Sequence, residues 1–231
     1  MPIRVLGFDG DDTLWHSESH FEVTQSEFRE LLQRYAPHAD VDRRLAEMEM
    51  KNLNVYGYGV KSFTLSMLET AIELTNGRIP ARDLEVILGW GKRMLMEPTE
   101  LLAGVADTLQ ALSVRFDLML ITKGDLFDQE GKLARSGLGR LFWGVDVLSE
   151  KNVESYKSVF QRRGIEPSKF VMVGNSLRSD VVPVVALGGR AVHIPYHVTW
   201  QHEQVPDSEL PKQGWVRVTG ITELPAALET L

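Results

Sequence analysis

The sequence contains no cysteine, and that absence removes disulfides, thiolate metal sites and cysteine nucleophiles together. It also has no apolar run approaching the roughly 18 residues needed to span a bilayer. The opening "MPIRVLGF" lacks the layout of a secretory signal, because its apolar run is short and leads directly into acids. Basic residues are in deficit: 25 Lys and Arg against 32 Asp and Glu give a net charge of −7 and a pI near 5.4. Nucleic-acid-binding domains usually display a basic face, and no basic run here is long enough to form one. Neither nucleic acid nor membrane is therefore expected as a partner, and a soluble, cytoplasmic protein is. Internal repeats and low-complexity tracts are absent as well. What is present is a chain of 231 residues, 43% of them hydrophobic, enough for a real core in one large domain or one domain carrying an insertion.

Short apolar runs end abruptly in polar or glycine-containing loops: "VLGF" (5–8), "DLMLIT" (117–122), "VDVLS" (145–149), "FVMVG" (170–174), "RAVHIP" (190–195) and a weaker "WVRV" (215–218). Continuous apolar strands without alternation predict burial on both faces, as in a parallel sheet covered by helices. Helical patterns lie between them: "VADTLQALSV", "DQEGKLARSG", "VESYKSVFQRRG" and "LRSDVVPVVALGG". Three of these end in glycine, which suits a helix C-terminus. Alternating helices and strands predict a doubly wound α/β fold with a parallel sheet.

Residues 17–96 break the alternation. Four stretches there carry helical spacing and little strand signal, with breaks at Pro37, at "GYG" (57–59) and at "NGRIP" (76–80). The expected organisation is an α/β core of residues 1–16 and 97–231, with a helical insert of residues 17–96. Ligands of open α/β sheets bind at the carboxyl ends of the strands, near a topological switch point, so those loops hold the candidate site.

The first strand end supplies Asp9, Asp11, Asp12 and Thr13, the second Thr122 and Lys123, the third leads to Lys151, and the fourth supplies Asn175 and Asp180. An acidic turn of this kind can be a solvated loop, or it can hold a hard cation such as Mg2+, which prefers oxygen ligands. A lysine and a hydroxyl beside it can hold a dianionic phosphate, and a carboxylate can itself act as a nucleophile.

In order, "FDGDDTL", "LITKG", Lys151 and "VGNSLRSD" resemble the four motifs of the haloacid dehalogenase superfamily of hydrolases. The insert stands where that superfamily carries a helical cap, and the resemblance covers essentially the whole chain. It implies that Asp9 is the nucleophile and Asp11 the acid and base. Thr122 would bond a phosphoryl oxygen and Lys151 would neutralise nucleophile and phosphate; Lys157, inside the following helix, is the weaker alternative. It further implies Mg2+ as cofactor, held around Asp9, Asp11 (through its main-chain carbonyl), Asn175 and Asp180, with support of the lysine, or a cap on the following helix, as the other readings of Asp180. The implied partner is a small phosphorylated metabolite.

Two departures stand out: Asn175 replaces the commoner acid of the fourth motif, and Asn152 replaces the proline that often follows the third-motif lysine. Asn175 leans toward the 2-haloacid dehalogenases, but those relatives lack an acid at the position of Asp11, which halide departure does not need. A phosphomutase shares every motif, and a phospho-aspartate signalling module places its aspartate on a later strand. Asp12 reads as a turn or helix-start residue. Trp15 and Lys123 are substrate-binding candidates, with Tyr56, Tyr58 and Lys61 behind them and packing as the alternative for the tyrosines. The histidines show no metal-ligand spacing, and segment 196–203 is a candidate flap.

Overall fold

A computed structural model describes residues 2–198, 200 and 203–231. The chain forms two compact units, one of Met1–Glu18, Thr99–Lys123 and Gln129–Leu231, the other of Ser19–Pro98 and Gly124–Asp128.

The first unit is built on strands β1 (Val5–Phe8), β2 (Asp117–Lys123), β3 (Gly144–Leu148), β4 (Phe170–Gly174), β5 (Arg190–His193) and β6 (Trp215–Arg217). Among the described residues they form one six-stranded sheet in the order β3-β2-β1-β4-β5-β6. Every pairing is parallel. The apolar runs are uninterrupted because both faces are buried. Leu6, Phe8, Leu118, Leu120, Val171 and Val173 point into one cluster with Val105, Leu109 and Leu224. Their sequence neighbours Val5, Met119, Ile121, Phe170 and Met172 point into another with Tyr156, Phe160 and Val184. That alternation is the period of two that a pleated strand imposes. Each fully buried large side chain contributes about 1.5–3 kcal/mol relative to exposure.

Helices α5 (Val105–Leu112) and α9 (Leu224–Thr230) supply residues to the first face, and α7 (Val153–Arg163) and α8 (Val182–Ala186) to the second. Helix α6 (Leu126–Ser136) starts two residues before the expected "DQEGKLARSG". The Asp125 carboxylate accepts the Asp128 backbone N–H at 3.1 Å and so draws the exposed Leu126 and Phe127 into the first turn. The expected helix over 177–189 is interrupted in a different way. It opens as a wide π-type turn over Leu177–Val181 before α8 begins, because Pro183 has no N–H to offer the preceding turn.

The second unit contains α1 (Glu18–Gln33, whose first residue counts with the first unit), α2 (Val41–Tyr56), α3 (Val60–Leu74) and α4 (Ala81–Met96). Phe28, Leu32, Leu45, Met67 and Ile87 are among its buried core residues. Asp40 starts α2 by accepting the Arg43 N–H at 3.1 Å. Among the described residues no helix is long and apolar enough to cross a membrane.

The sheet order changes direction at β1, which lies between β2 and β4. Chain leaving β1 continues to one side and β4 opens the other, so the ends of these two strands flank the switch point.

Candidate active site

Asp9 is placed by the sheet itself, since its N–H continues the ladder to the Val173 carbonyl at 2.9 Å. The chain then turns tightly: the Gly10 carbonyl accepts the Leu14 N–H at 2.8 Å, and Asp12 donates its N–H to Trp15 at 2.7 Å with a positive φ of 61°. A Cβ on Gly10 would come within 2.8 Å of the Trp15 indole, so only glycine fits there. This turn sends three neighbouring acids in three directions.

Asp9 is buried and faces Lys151, whose Nζ lies 2.5 Å from its Oδ1 and 2.8 Å from Oδ1 of Asp180. Lys151 is itself only 3% exposed. Burial opposes its charge, yet Asp180 and Asp9 together raise its pKa above the ordinary value. Burial raises both carboxyls against the pull of Lys151, and the negative charge of Asp180 adds to the effect on Asp9. The second oxygen of Asp180 accepts the Ser176 N–H at 3.0 Å. A Cβ on Gly174 would fall 2.1 Å from that oxygen, so the glycine admits the carboxylate to its place. Asp180, expected as a metal ligand or as support for the lysine, holds Lys151 with one oxygen.

Asp11 has a separate setting. Its Oδ1 accepts from Trp15 Nε1 at 2.7 Å and Lys132 Nζ at 2.8 Å, and its Oδ2 accepts from Gln129 Nε2 at 2.8 Å. Burial alone would raise its pKa, but Lys132, Gln129 and Trp15 outweigh burial and hold it below the usual carboxylate range. Trp15, expected against substrate, is fully buried in the core; its indole serves the site through Asp11. Asp12 faces away from both groups and accepts the N–H groups of Ser17 at 2.9 Å and Glu18 at 3.1 Å, where α1 begins. Burial, with Asp11 adding to it, pushes the Asp12 carboxyl up to about 8.

Thr122 is buried, and its hydroxyl donates to Gln129 Oε1 at 3.2 Å. Lys123 donates to Ser179 Oγ at 3.1 Å and pairs with Glu203. Glu203 also accepts from the hydroxyls of Ser176 and, at 2.8 Å, Ser179. Burial works to raise the pKa of Glu203, but Lys123 and the two serines lower it overall. Within the candidate flap, Thr199, Gln201 and His202 lie outside the described residues. In the helical unit, Tyr56 donates to Glu69 at 3.2 Å and Lys61 pairs with Asp125 at 2.9 Å.

Asn175 presents its amide oxygen 3.3 Å from the Thr13 hydroxyl, which is 3.2 Å from Asp9 Oδ2. One hydroxyl has one proton to give, so one of these two oxygens keeps a lone pair for another partner. The main chain of Asn175 is fixed by His193, whose Nε2 lies 2.9 Å from its carbonyl oxygen while Arg217 donates to Nδ1 at 3.2 Å. That arrangement puts the ring proton on Nε2. Burial, with Arg217 adding to it, holds the pKa of His193 below its ordinary value.

Thr13 stood in the acidic loop without an assigned role. Gln129, Lys132, Ser176, Ser179 and Glu203 were not singled out from the sequence. Gln129 and Lys132 carried one usable signal, a three-residue spacing that puts both on one face of α6. Glu203 carried one as well, as the last residue of the candidate flap 196–203.

These donors suit a hard cation. Asp9 and Asp180 share one ammonium, so their group keeps a surplus of negative charge, and the side-chain donors at hand are oxygens. Among the described residues no three His, Cys, Asp or Glu side chains gather as a complete metal site.

Residues 3–188 match the model of the haloacid dehalogenase-like hydrolases. Among solved structures, a haloacid dehalogenase-like family hydrolase from Xanthomonas campestris is 41% identical with a TM-score of 0.89, covering 99% of this chain and 91% of that one. The HAD-hydrolase YfnB from Bacillus subtilis, bound to magnesium, is 18% identical with a TM-score of 0.67, covering 99% of this chain and 100% of that one. L-2-haloacid dehalogenase from Xanthobacter autotrophicus, with chloropropionic acid covalently bound, is 14% identical with a TM-score of 0.66, covering 99% of each chain. At their identities the last two share the fold alone. No curated protein matches the chain.

Proposed function

Because the chain belongs to the haloacid dehalogenase-like hydrolase family, we propose that it hydrolyses a small phosphate monoester through a phospho-aspartate on Asp9. The observation that carries this reading is the second carboxylate, Asp11, housed beside the nucleophile with donors of its own. An alkoxide leaves poorly without a proton, whereas a halide needs none.

Asp9 attacks phosphorus with one carboxylate oxygen while Lys151 holds the other and offsets negative charge on the transferring group. Asp180 keeps Lys151 charged and in place. A dianionic phosphate beside Asp11 repels its charge and favours its protonated form. As the phosphorus–oxygen bond breaks, that proton passes to the leaving oxygen. The carboxylate so formed takes a proton from water, which attacks phosphorus of the phospho-aspartate and releases phosphate and free Asp9. Acid–base assistance of this kind is worth about 10²- to 10⁴-fold. Lys123 offers an ammonium to the phosphoryl oxygens, while the Thr122 hydroxyl, expected there as well, gives its one proton to Gln129. Bound Mg2+ would supply further positive charge there, held by Asp9, Asn175 and the main-chain oxygen of Asp11.

Asn175 favours the alternative of a 2-haloacid substrate, displaced by Asp9 as an ester, and Asp11 weighs against it. A panel of metabolite phosphates, assayed with and without Mg2+ beside a 2-chloropropionate control, separates the two. Magnesium-dependent phosphate release, lost in Asp9→Asn, is the expected result. Chloride release without phosphate release contradicts the proposal.

A further inference from the structure

We propose that Lys132 and Gln129 on α6 are positioning residues for Asp11, orienting its carboxylate for proton delivery to the leaving group. The inference rests on the phosphomonoesterase reading above and assigns the residues that make its acid–base step selective.

A carboxylate offers about four lone-pair directions. Trp15 and Lys132 take two on Oδ1 and Gln129 takes one on Oδ2. The direction that remains is on Oδ2, so a proton carried there has one defined orientation. Each donor is itself fixed. Trp15 is fully buried, and Gln129 is 3% exposed. Thr122 donates to the Gln129 amide oxygen, which turns the NH2 end toward Asp11. Lys132 also reaches the Ser17 hydroxyl at 3.4 Å, so it spans the acidic turn from one side. Of the three donors only Lys132 is charged, and a charge-assisted bond is roughly twice as strong as a neutral one. Lys132 therefore has the largest effect on where Asp11 points. Thr122, its one proton given to Gln129, thus acts on Asp11 through Gln129.

Proton delivery matters for an alkyl ester and much less for an activated aryl ester. The test compares kcat/KM on 2-glycerophosphate and p-nitrophenyl phosphate for the wild type, Lys132→Met, Lys132→Arg and Gln129→Leu. This quantity covers the steps through departure of the first product, so later hydrolysis of the phospho-aspartate does not mask the result. Lys132→Met is expected to lose about 10- to 100-fold on the alkyl ester, a part of the general-acid contribution. The loss on the aryl ester is expected to be about tenfold smaller, with Lys132→Arg restoring the ratio and Gln129→Leu shifting it the same way by less. Equal losses on both esters, or no loss on either, overturn the inference while phosphate release by the wild type upholds the function. If the wild type releases phosphate from no ester and chloride from 2-chloropropionate, the function and the inference fall together. Should Lys132→Met not fold, Gln129→Leu with an unchanged ratio overturns the inference by itself.

Discussion

Asp9 and Asp11 stand two residues apart on one turn, and each has a lysine, yet the two settings differ. Around Asp9 two buried carboxylates share the single ammonium of Lys151, and burial raises both of them. Around Asp11 one carboxylate accepts from a lysine and from two neutral donors, which together lower it. On the proposed function, the first setting serves a cation and a nucleophile. The second is directional, as the proposed proton transfer at one atom requires. Separation of two acids by environment is how one site runs nucleophilic and acid–base chemistry together.

The largest effect expected from breaking this comparison comes from Lys151→Met. It leaves Asp9 and Asp180 facing each other without a counter-ion. Removing one partner of a buried ion pair costs about 3–5 kcal/mol, so denaturant unfolding should show a loss of that size and phosphate release should disappear. A stable, active Lys151→Met protein would mean that the Asp9 setting does not depend on its ammonium. Next is Asp11→Asn, which keeps the shape and removes the proton carrier. Its kcat/KM on an alkyl phosphate should fall by about 10²- to 10⁴-fold, with a smaller fall on an activated aryl ester.

The smallest effect concerns pH and stability. A carboxyl lowered in the folded state adds stability above its unfolded pKa, about 3.9, and that stability is lost as pH falls through the folded value. The difference in thermal midpoint between wild type and Lys132→Met should therefore be full at neutral pH and fade below about pH 4. A difference that persists unchanged into acid would assign the effect to packing of the Lys132 stem instead.

The central strands were legible to the residue. "VLGF" and "FVMVG" coincide with β1 and β4, because a strand buried on both faces has no polar position to blur its limits. "RAVHIP" overshoots, since β5 ends at His193 and Pro195 lacks the N–H that a ladder needs. In the site, groups carried on strand ends were legible because the sheet places every strand end together. Residues that reach it from a helix face were not, and the distant loop that brings Glu203 was legible only as a candidate flap. Lys132 meets Asp11 across 121 positions of sequence, and Glu203 meets Lys123 across 80; no local pattern records either contact. Trp15 was legible as a neighbour of the site, four residues from Asp11. Its direction into the core depends on Gly10 leaving room for the indole.

The central claim is the covalent phospho-aspartate on Asp9. Asp11→Asn mixed with p-nitrophenyl phosphate, quenched in acid and digested, tests it most directly, because an activated ester needs little acid assistance to form the intermediate while loss of the base that activates water should let it accumulate. Mass spectrometry should then place one phosphoryl group on the peptide carrying Asp9. A phosphoryl group found elsewhere, or phosphate release with Asp9 replaced by Asn, would contradict the account.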